Sequence, residues 1–382
     1  MKIVIAPDSF KESLTAEEVC KAIEKGMKRV FSDAEYHLVP VADGGEGTVQ
    51  SLVDATNGQI IDLPVIGPLS ETVNAFYGML GDNSQTAVIE MAAASGLHHV
   101  AADLRDPKKT SSYGTGELIK AALDNGAEKI IIGLGGSATN DGGLGMLTAL
   151  GASFTGKQGN PVESNGAGLK EIEKINIDYL DPRLKHCQIL VACDVDNPLC
   201  GEHGATHVFG PQKGATKEDI VLLDDGLRHF ASCVQTQLNI NILDTPGAGA
   251  AGGMGAALIG FTQATLRPGI ELVLEAVKLN EYMKGTDLVI TGEGRIDSQT
   301  VHGKTPMGVA TVAKKFNIPV VGIAGSLGQN HQAVYDCGID AVFAAVPGAM
   351  TLTQAFTEAS NNVSNVAENI AKLWSIKQSI SQ

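Results

Sequence analysis

KIVIAPDSFKESLTAEEVCKAIEKGMKRVFSDAEYHLVPVADGGEGT, residues 2–48, is the stretch that decides the fold. Lys2–Ala6 is a short apolar run of the kind that forms a buried strand. Asp8–Lys11 is a polar loop. Ser13 or Thr15 offers an N-cap to the helix that follows, with Glu17 and Glu18 in its first turn. That helix is expected to run to about Arg29. Glu35–Pro40 reads as a second strand, and the glycine-rich segment Val41–Thr48 leads into a second helix that reaches about Ala55. Strand, helix, strand, helix is the opening of a parallel sheet, whose neighbouring strands need crossovers.

The chain's other end has the same character. Asp287–Ile290 reads as a strand, followed by a helix at Met307–Phe316, strands at Ile318–Ile323 and Gly338–Ala344, and one long final helix, Thr353–Trp374. Five strands alternating with helices predict a flavodoxin-like α/β domain built from both chain ends, residues 1–60 and 285–382. The intervening 61–284 differ. Thr72–Leu80 and Thr86–Met91 flank Gly81-Asp82-Asn83 as a hairpin, and Ala152–Val162 reads as another around Gly156–Gly159. Lys129–Ile132, Gln188–Ala192 and Thr206–Phe209 read as strands; Thr115–Asn125, Lys217–Gln237 and Gly253–Gln263 read as helices. The prediction is a two-domain chain with an inserted mixed α/β domain.

Composition narrows the function. A net charge of −15 disfavours a nucleic-acid groove, which needs clustered Lys and Arg. An anionic metabolite remains open if local donors, and a cation, supply the charge. No apolar run approaches the ~20 residues of a membrane span, and MKIVIAPDSF lacks a signal-peptide pattern, so a cytoplasmic protein is expected. The spacing of Cys187, Cys193 and Cys200 matches no common zinc pattern. Oligomerisation is an open possibility on sequence alone.

Open parallel sheets bind ligands at the carboxyl ends of their strands, and acids and glycines concentrate at those ends here. Asp8-Ser9-Phe10-Lys11 places a hydroxyl and an ammonium where they can hold a carboxylate or phosphate; alone, a helix-entry loop with a surface lysine explains it as well. Asp43-Gly44-Gly45-Glu46 pairs carboxylates with glycines that let the backbone approach a ligand. Gly133–Gly143 contains Gly133-x-Gly135-x-x-Ala138, but no acidic residue closes a second strand about 20 residues on, which disfavours a Rossmann cofactor. Gly135, Gly136, Ser137, Thr139 and Asn140 suit mononucleotide phosphates better, with Asp141 in reach of a magnesium ion. Asp194, after the strand Gln188–Ala192, is a candidate general base or metal ligand. Near the C-terminal side, Glu293, Arg295 and Asp297 precede Gly303-Lys304-Thr305, which fails as a P-loop because Ser298 stands where its first glycine belongs. Arg295 and Lys304 remain candidate phosphate clamps. The glycines of Pro246–Gly255 could cradle an anion or permit close packing.

Together APDSFKESL (Ala6–Leu14), VADGGEGT (Val41–Thr48), GLGGSATNDGG (Gly133–Gly143), Pro246–Gly255 and Thr291–Pro306 resemble the type-1 glycerate kinase family, in the family's order and over nearly the whole chain. The resemblance implies phosphoryl transfer from ATP to D-glycerate with Mg2+, with 2-phosphoglycerate favoured over the 3-isomer. On chemical grounds Asp43 or Asp194 is the expected base, with Lys11 and Arg295 also catalytic. Asp8, Ser9, Gly44, Gly45, Glu46, Glu293 and Asp297 are expected around the substrate, Gly135, Gly136, Ser137, Thr139, Asn140 and Lys304 around the nucleotide, and Asp141 and Asp194 at the metal. The rival readings are a nicotinamide-dependent hydroxy-acid dehydrogenase and a non-catalytic small-acid sensor.

Overall fold

The structure, a computed structural model, describes residues 1–301 and 303–380. Its contacts divide the chain into two compact units: Met1–Asp43 with Gln50–Asn57 and Ile270–Gln382, and Gly44–Val49 with Gly58–Gly269. Residues 44–49 thus group with the second unit, and 270–284, placed in the insertion on sequence, group with the first.

The first unit holds a five-stranded sheet in the order Ala341–Ala344, Val320–Leu327, Leu288–Ile296, Lys2–Ile5, Glu35–Leu38. Every pair is parallel. This is the flavodoxin-like order, with its switch point between the opening strand and Leu288–Ile296. The first helix, Ala16–Lys28, starts where its chemistry dictates. Thr15 accepts from the Glu18 backbone and the Glu18 side chain accepts from the Thr15 backbone, a reciprocal capping box. Its buried face, Val19, Cys20, Ile23 and Met27, packs with Val363, Ala367, Ile370 and Ala371 of the final helix. The approach is close at Gly26, where a Cβ would lie 2.1 Å from the Ser364 carbonyl oxygen. Each fully buried Ile or Val in such a core contributes about 1.5–3 kcal/mol.

The second unit has a six-stranded sheet in the order Thr265–Arg267, Gln188–Ala192, Lys129–Gly133, Thr86–Glu90, Thr72–Met79, Gln59–Ile66. The first four strands pair in parallel and the last two join antiparallel, which makes the sheet mixed. Ile89, Ile130, Ile132, Ile189 and Val191 supply its apolar interior, in one core with residues of the helices Tyr113–Asp124 and Lys217–Leu238.

Several sequence expectations change. Thr206–Phe209 is not a strand but lies in a short helix, Ala205–Phe209, entered at Gly204. Ala152–Val162 does turn back on itself, through the antiparallel Thr155–Pro161 bridge and a Val162 N–H to Phe154 carbonyl bond, and Ser153–Thr155 pairs in addition with Lys174–Asn176. The long final helix is broken into Leu352–Thr357 and Ala359–Ile380. The strand expected at Asp287–Ile290 continues to Ile296, paired with Val320–Leu327 throughout. Gly292 permits that extension, since a Cβ there would meet the Ile323 carbonyl oxygen at 2.0 Å.

Candidate active site

In the first unit, four segments expected at the site meet at the carboxyl edge of the sheet. Asp8 follows the opening strand. One of its oxygens accepts from the Ser9 backbone N–H at 2.7 Å, and the other accepts from Thr305 Oγ1 at 2.6 Å. Burial pushes its pKa up to about 6, opposed by the Thr305 hydroxyl and reinforced by the negative charges of Asp43 and Glu293. Glu293 sits on the strand extension and is buried. It accepts from Thr300 Oγ1 at 2.6 Å and from Lys304 Nζ at 3.3 Å. Burial raises its pKa too, against the pull of Thr300 and Lys304. Asp8, Asp43 and Glu293 therefore form one acidic group whose members feel each other.

The basic residues lie more openly. Arg295 pairs with Asp297 at 3.1 Å and is largely exposed. Lys304 stands at the head of the helix Thr305–Lys314, whose first turn carries Pro306; proline there is favourable, since it surrenders only an N–H the helix does not use. Lys11 is exposed and lines a cavity of about 120 Å³ with Phe10, Gly294, Ser326 and Phe356. Ser9 hydrogen-bonds the neighbouring Asp8 carboxylate through backbone and hydroxyl.

In the second unit, Gly44 takes φ +95°, and a Cβ there would lie 2.6 Å from Gly269 Cα. Only glycine satisfies both conditions. The segment that follows is held by Glu90, a residue not singled out from sequence. Glu90 is buried at the end of its strand and accepts from the Val49 backbone N–H at 2.9 Å. Glu46 is exposed and Gly45 partly so. A carboxylate closing an apolar strand (Thr86–Glu90) was the available signal.

The loop after Lys129–Gly133 divides into two faces. Gly135 and Gly136 are exposed, and Gly136 has φ +74°. Ser137 retains slight exposure, whereas Thr139 and Asn140 have none and support the loop from within. Asn140 Nδ2 donates to Thr206 Oγ1 at 2.9 Å, while Thr139 Oγ1 and Asn140 Oδ1 have no partner.

Asp141 corrects the sequence reading most clearly. It is fully buried, and its oxygens accept from Ser112 N at 2.9 Å, Ser112 Oγ at 2.7 Å, Gly143 N at 3.1 Å and Gly145 N at 3.1 Å. A carboxylate so occupied, and without solvent exposure, anchors the loop to the helix Leu144–Ala149. The glycines after Pro246 are packing devices: Gly252 and Gly253 take positive φ, and Cβ atoms there would meet Thr139 O at 2.1 Å and Gly142 Cα at 2.9 Å. Asp194, by contrast, is exposed, with one oxygen accepting from Gly269 N at 3.0 Å. Among the described residues no three His, Cys, Asp or Glu side chains form a metal-binding group. Magnesium does not require one, because it enters such sites on nucleotide phosphates with one or two protein carboxylates. Asp194 fits that part; Asp141 does not.

No helix among the described residues is long and apolar enough to cross a membrane. The first unit carries acids and donors on its sheet edge, and the second carries a glycine loop supported from within. The chain as a whole is similar to known proteins. A family model described as "Glycerate kinase family" matches residues 3–375. The glycerate kinase of Bacillus subtilis (strain 168) is 59% identical over 356 residues, 93% of each chain. The glycerate 2-kinase of Escherichia coli (strain K12) is 57% identical over 356 residues, again 93% of each. A crystal structure assigned to glycerate kinase 2 of Salmonella typhimurium LT2 superposes with a TM-score of 0.93 at 55% identity, covering 99% of both chains. By the length and identity of these matches, the chain belongs to the glycerate kinase family.

Proposed function

We propose that this chain transfers the γ-phosphoryl group of ATP to a hydroxyl of D-glycerate, giving 2-phosphoglycerate. The observation that carries the reading is the near full-length match to glycerate kinases, among them a glycerate 2-kinase. Phosphoryl transfer asks a protein for positioning and charge neutralisation more than covalent chemistry, and the site is equipped for that. The first unit offers Lys11, Arg295 and Ser9 to the acid's carboxylate, with Asp8, Glu293 and Asp297 holding those groups and the substrate hydroxyls. Asp43 or Asp194 takes the proton of the attacking hydroxyl. The second unit offers the exposed backbone of Gly135 and Gly136, with Ser137, to the phosphates, while Gly44, Gly45 and Glu46 line the neighbouring loop. Lys304 is a further phosphate contact. Magnesium carried on ATP would supply neutralisation of the phosphate charge, and Asp194 would hold it with a carboxylate. A cytoplasmic location suits the free thiols of the six cysteines.

The test is an ADP-coupled assay with D-glycerate, L-glycerate and a panel of hydroxy acids. Turnover specific to D-glycerate is expected, and Asp43→Asn or Asp194→Asn should abolish it at the residue that is the base. Equal turnover on unrelated acids, or wild-type turnover in both variants, contradicts the reading.

A further inference from the structure

Among the described residues, Lys213 is the one lysine or arginine that is buried, with 2% exposure. It lies in Gly210-Pro211-Gln212-Lys213-Gly214, a tight turn closed by Gly214 at φ +93°. Its ammonium donates to Ser137 Oγ at 2.8 Å and to the Thr139 carbonyl at 2.6 Å. It thus grips the glycine-rich loop from behind, at the residues next to the exposed Gly135 and Gly136.

The chemistry of this contact is unusual for a purely structural one. Burying an ammonium costs several kcal/mol unless a carboxylate pairs with it. The carboxylate that acts on Lys213 is Asp141, and that group is already engaged by its own donors, those of Ser112, Gly143 and Gly145. Burial accordingly pushes the Lys213 pKa down, to about 7. A glutamine or a methionine would fill the space without that penalty. The positive charge has a use if an anion binds on the loop's other side.

The hydrogen-bond direction supports the same conclusion. In the charged form, the one a bound anion favours, Lys213 only donates, so Ser137 Oγ is then the acceptor in this contact. The Ser137 hydroxyl proton must then point elsewhere, and Ser137 keeps some exposure beside the loop's open face. We propose that Lys213 is a positioning residue for nucleotide binding: it fixes Ser137 as a hydrogen-bond donor and holds a positive charge behind the loop that takes the ATP phosphates. The inference rests on the assignment of the Gly133–Gly143 loop to ATP in the proposed function.

Lys213→Met, Ser137→Ala and the double variant test it, with kinetics in ATP and in glycerate and calorimetric binding of a non-hydrolysable ATP analogue. Lys213→Met should raise the KM for ATP and the analogue's Kd by about 10- to 100-fold, the range of one or two charge-assisted hydrogen bonds. The KM for glycerate should stay within about twofold, and the double variant should be little worse than Lys213→Met, since both act through one hydroxyl. An unchanged analogue Kd, an equal shift in both KM values, or additive effects would overturn the proposal. If Lys213→Met does not fold, Ser137→Ala decides: a thermal midpoint like wild type with about tenfold weaker analogue binding is expected, and unchanged binding overturns the proposal. Absence of glycerate turnover in the wild type would sink the kinase reading alone, because analogue binding still reads Lys213.

Discussion

Replacing Asp141 separates a structural anchor from a metal ligand. Its carboxylate receives four donors, three of them on Oδ2 (Ser112 N, Ser112 Oγ, Gly145 N) and one on Oδ1 (Gly143 N). Asp141→Ala leaves three backbone N–H groups and a hydroxyl without an acceptor in a fully buried place. Each unsatisfied group costs about 1–3 kcal/mol. Local relaxation recovers part of this, and the ionised carboxyl's own desolvation, which raises its pKa, is relieved. About 4 kcal/mol of net destabilisation follows. Asp141→Asn should be milder, about 1–2 kcal/mol: an amide oxygen at the Oδ2 position keeps three donors satisfied and sets an NH₂ only against Gly143. Urea unfolding followed by far-UV circular dichroism, with and without Mg2+, measures both. The ordering Ala worse than Asn, independent of Mg2+, is expected. Two variants within about 1 kcal/mol of wild type, with an altered magnesium requirement as the main defect, would refute the argument and restore Asp141 as a ligand.

Gly44→Ala should destabilise the protein by about 2–4 kcal/mol, because φ +95° and a 2.6 Å approach to Gly269 Cα both oppose a side chain; a melting temperature like wild type would contradict this. Asp8 gives a pH signature. Its pKa is 3.8 in the unfolded chain and about 6 in the fold, so the fold binds the proton more tightly. Its stabilising contribution is present below about pH 4, is lost as pH rises through 6, and has a ceiling of about 3 kcal/mol because Asp8 keeps some solvent contact. Asp8→Asn should flatten that component of the stability–pH curve, measured by denaturation between pH 4 and pH 7; an identical slope in both proteins would count against it. Thr305→Val removes the 2.6 Å hydrogen bond that favours the ionised Asp8 and should raise its pKa further, read by carboxyl-carbon NMR; an unmoved titration would show the bond to be dispensable.

The fold was largely legible because its signals are local. Apolar runs such as Lys2–Ile5 and Lys129–Gly133 leave no alternative to buried strands, and Thr15 with Glu18 marks a helix start in the sequence itself. The errors fell where tertiary contacts decide. The segment around Thr206 is β-branched and aromatic by composition, yet Gly204 and packing make it a helix. Gln59–Ile66, which received no element on sequence, is a strand that carries Pro64 at the sheet's edge, where proline is tolerated. In the site, residue types at strand ends pointed to Asp8, Glu293 and the glycine loops. Sequence could not tell that Asp141 faces inward to its own loop, nor that Lys213 and Glu90 reach back to hold loops distant in the chain. Those roles depend on which side of a turn a side chain takes, and spacing does not encode it.

The central claim is tested most directly by incubating the protein with ATP, Mg2+ and D-glycerate and following the products by phosphorus NMR. The account predicts stoichiometric ADP and 2-phosphoglycerate. ATP left intact, or a phosphate on the other hydroxyl, would contradict it: the first result removes the kinase, the second the assignment of its product.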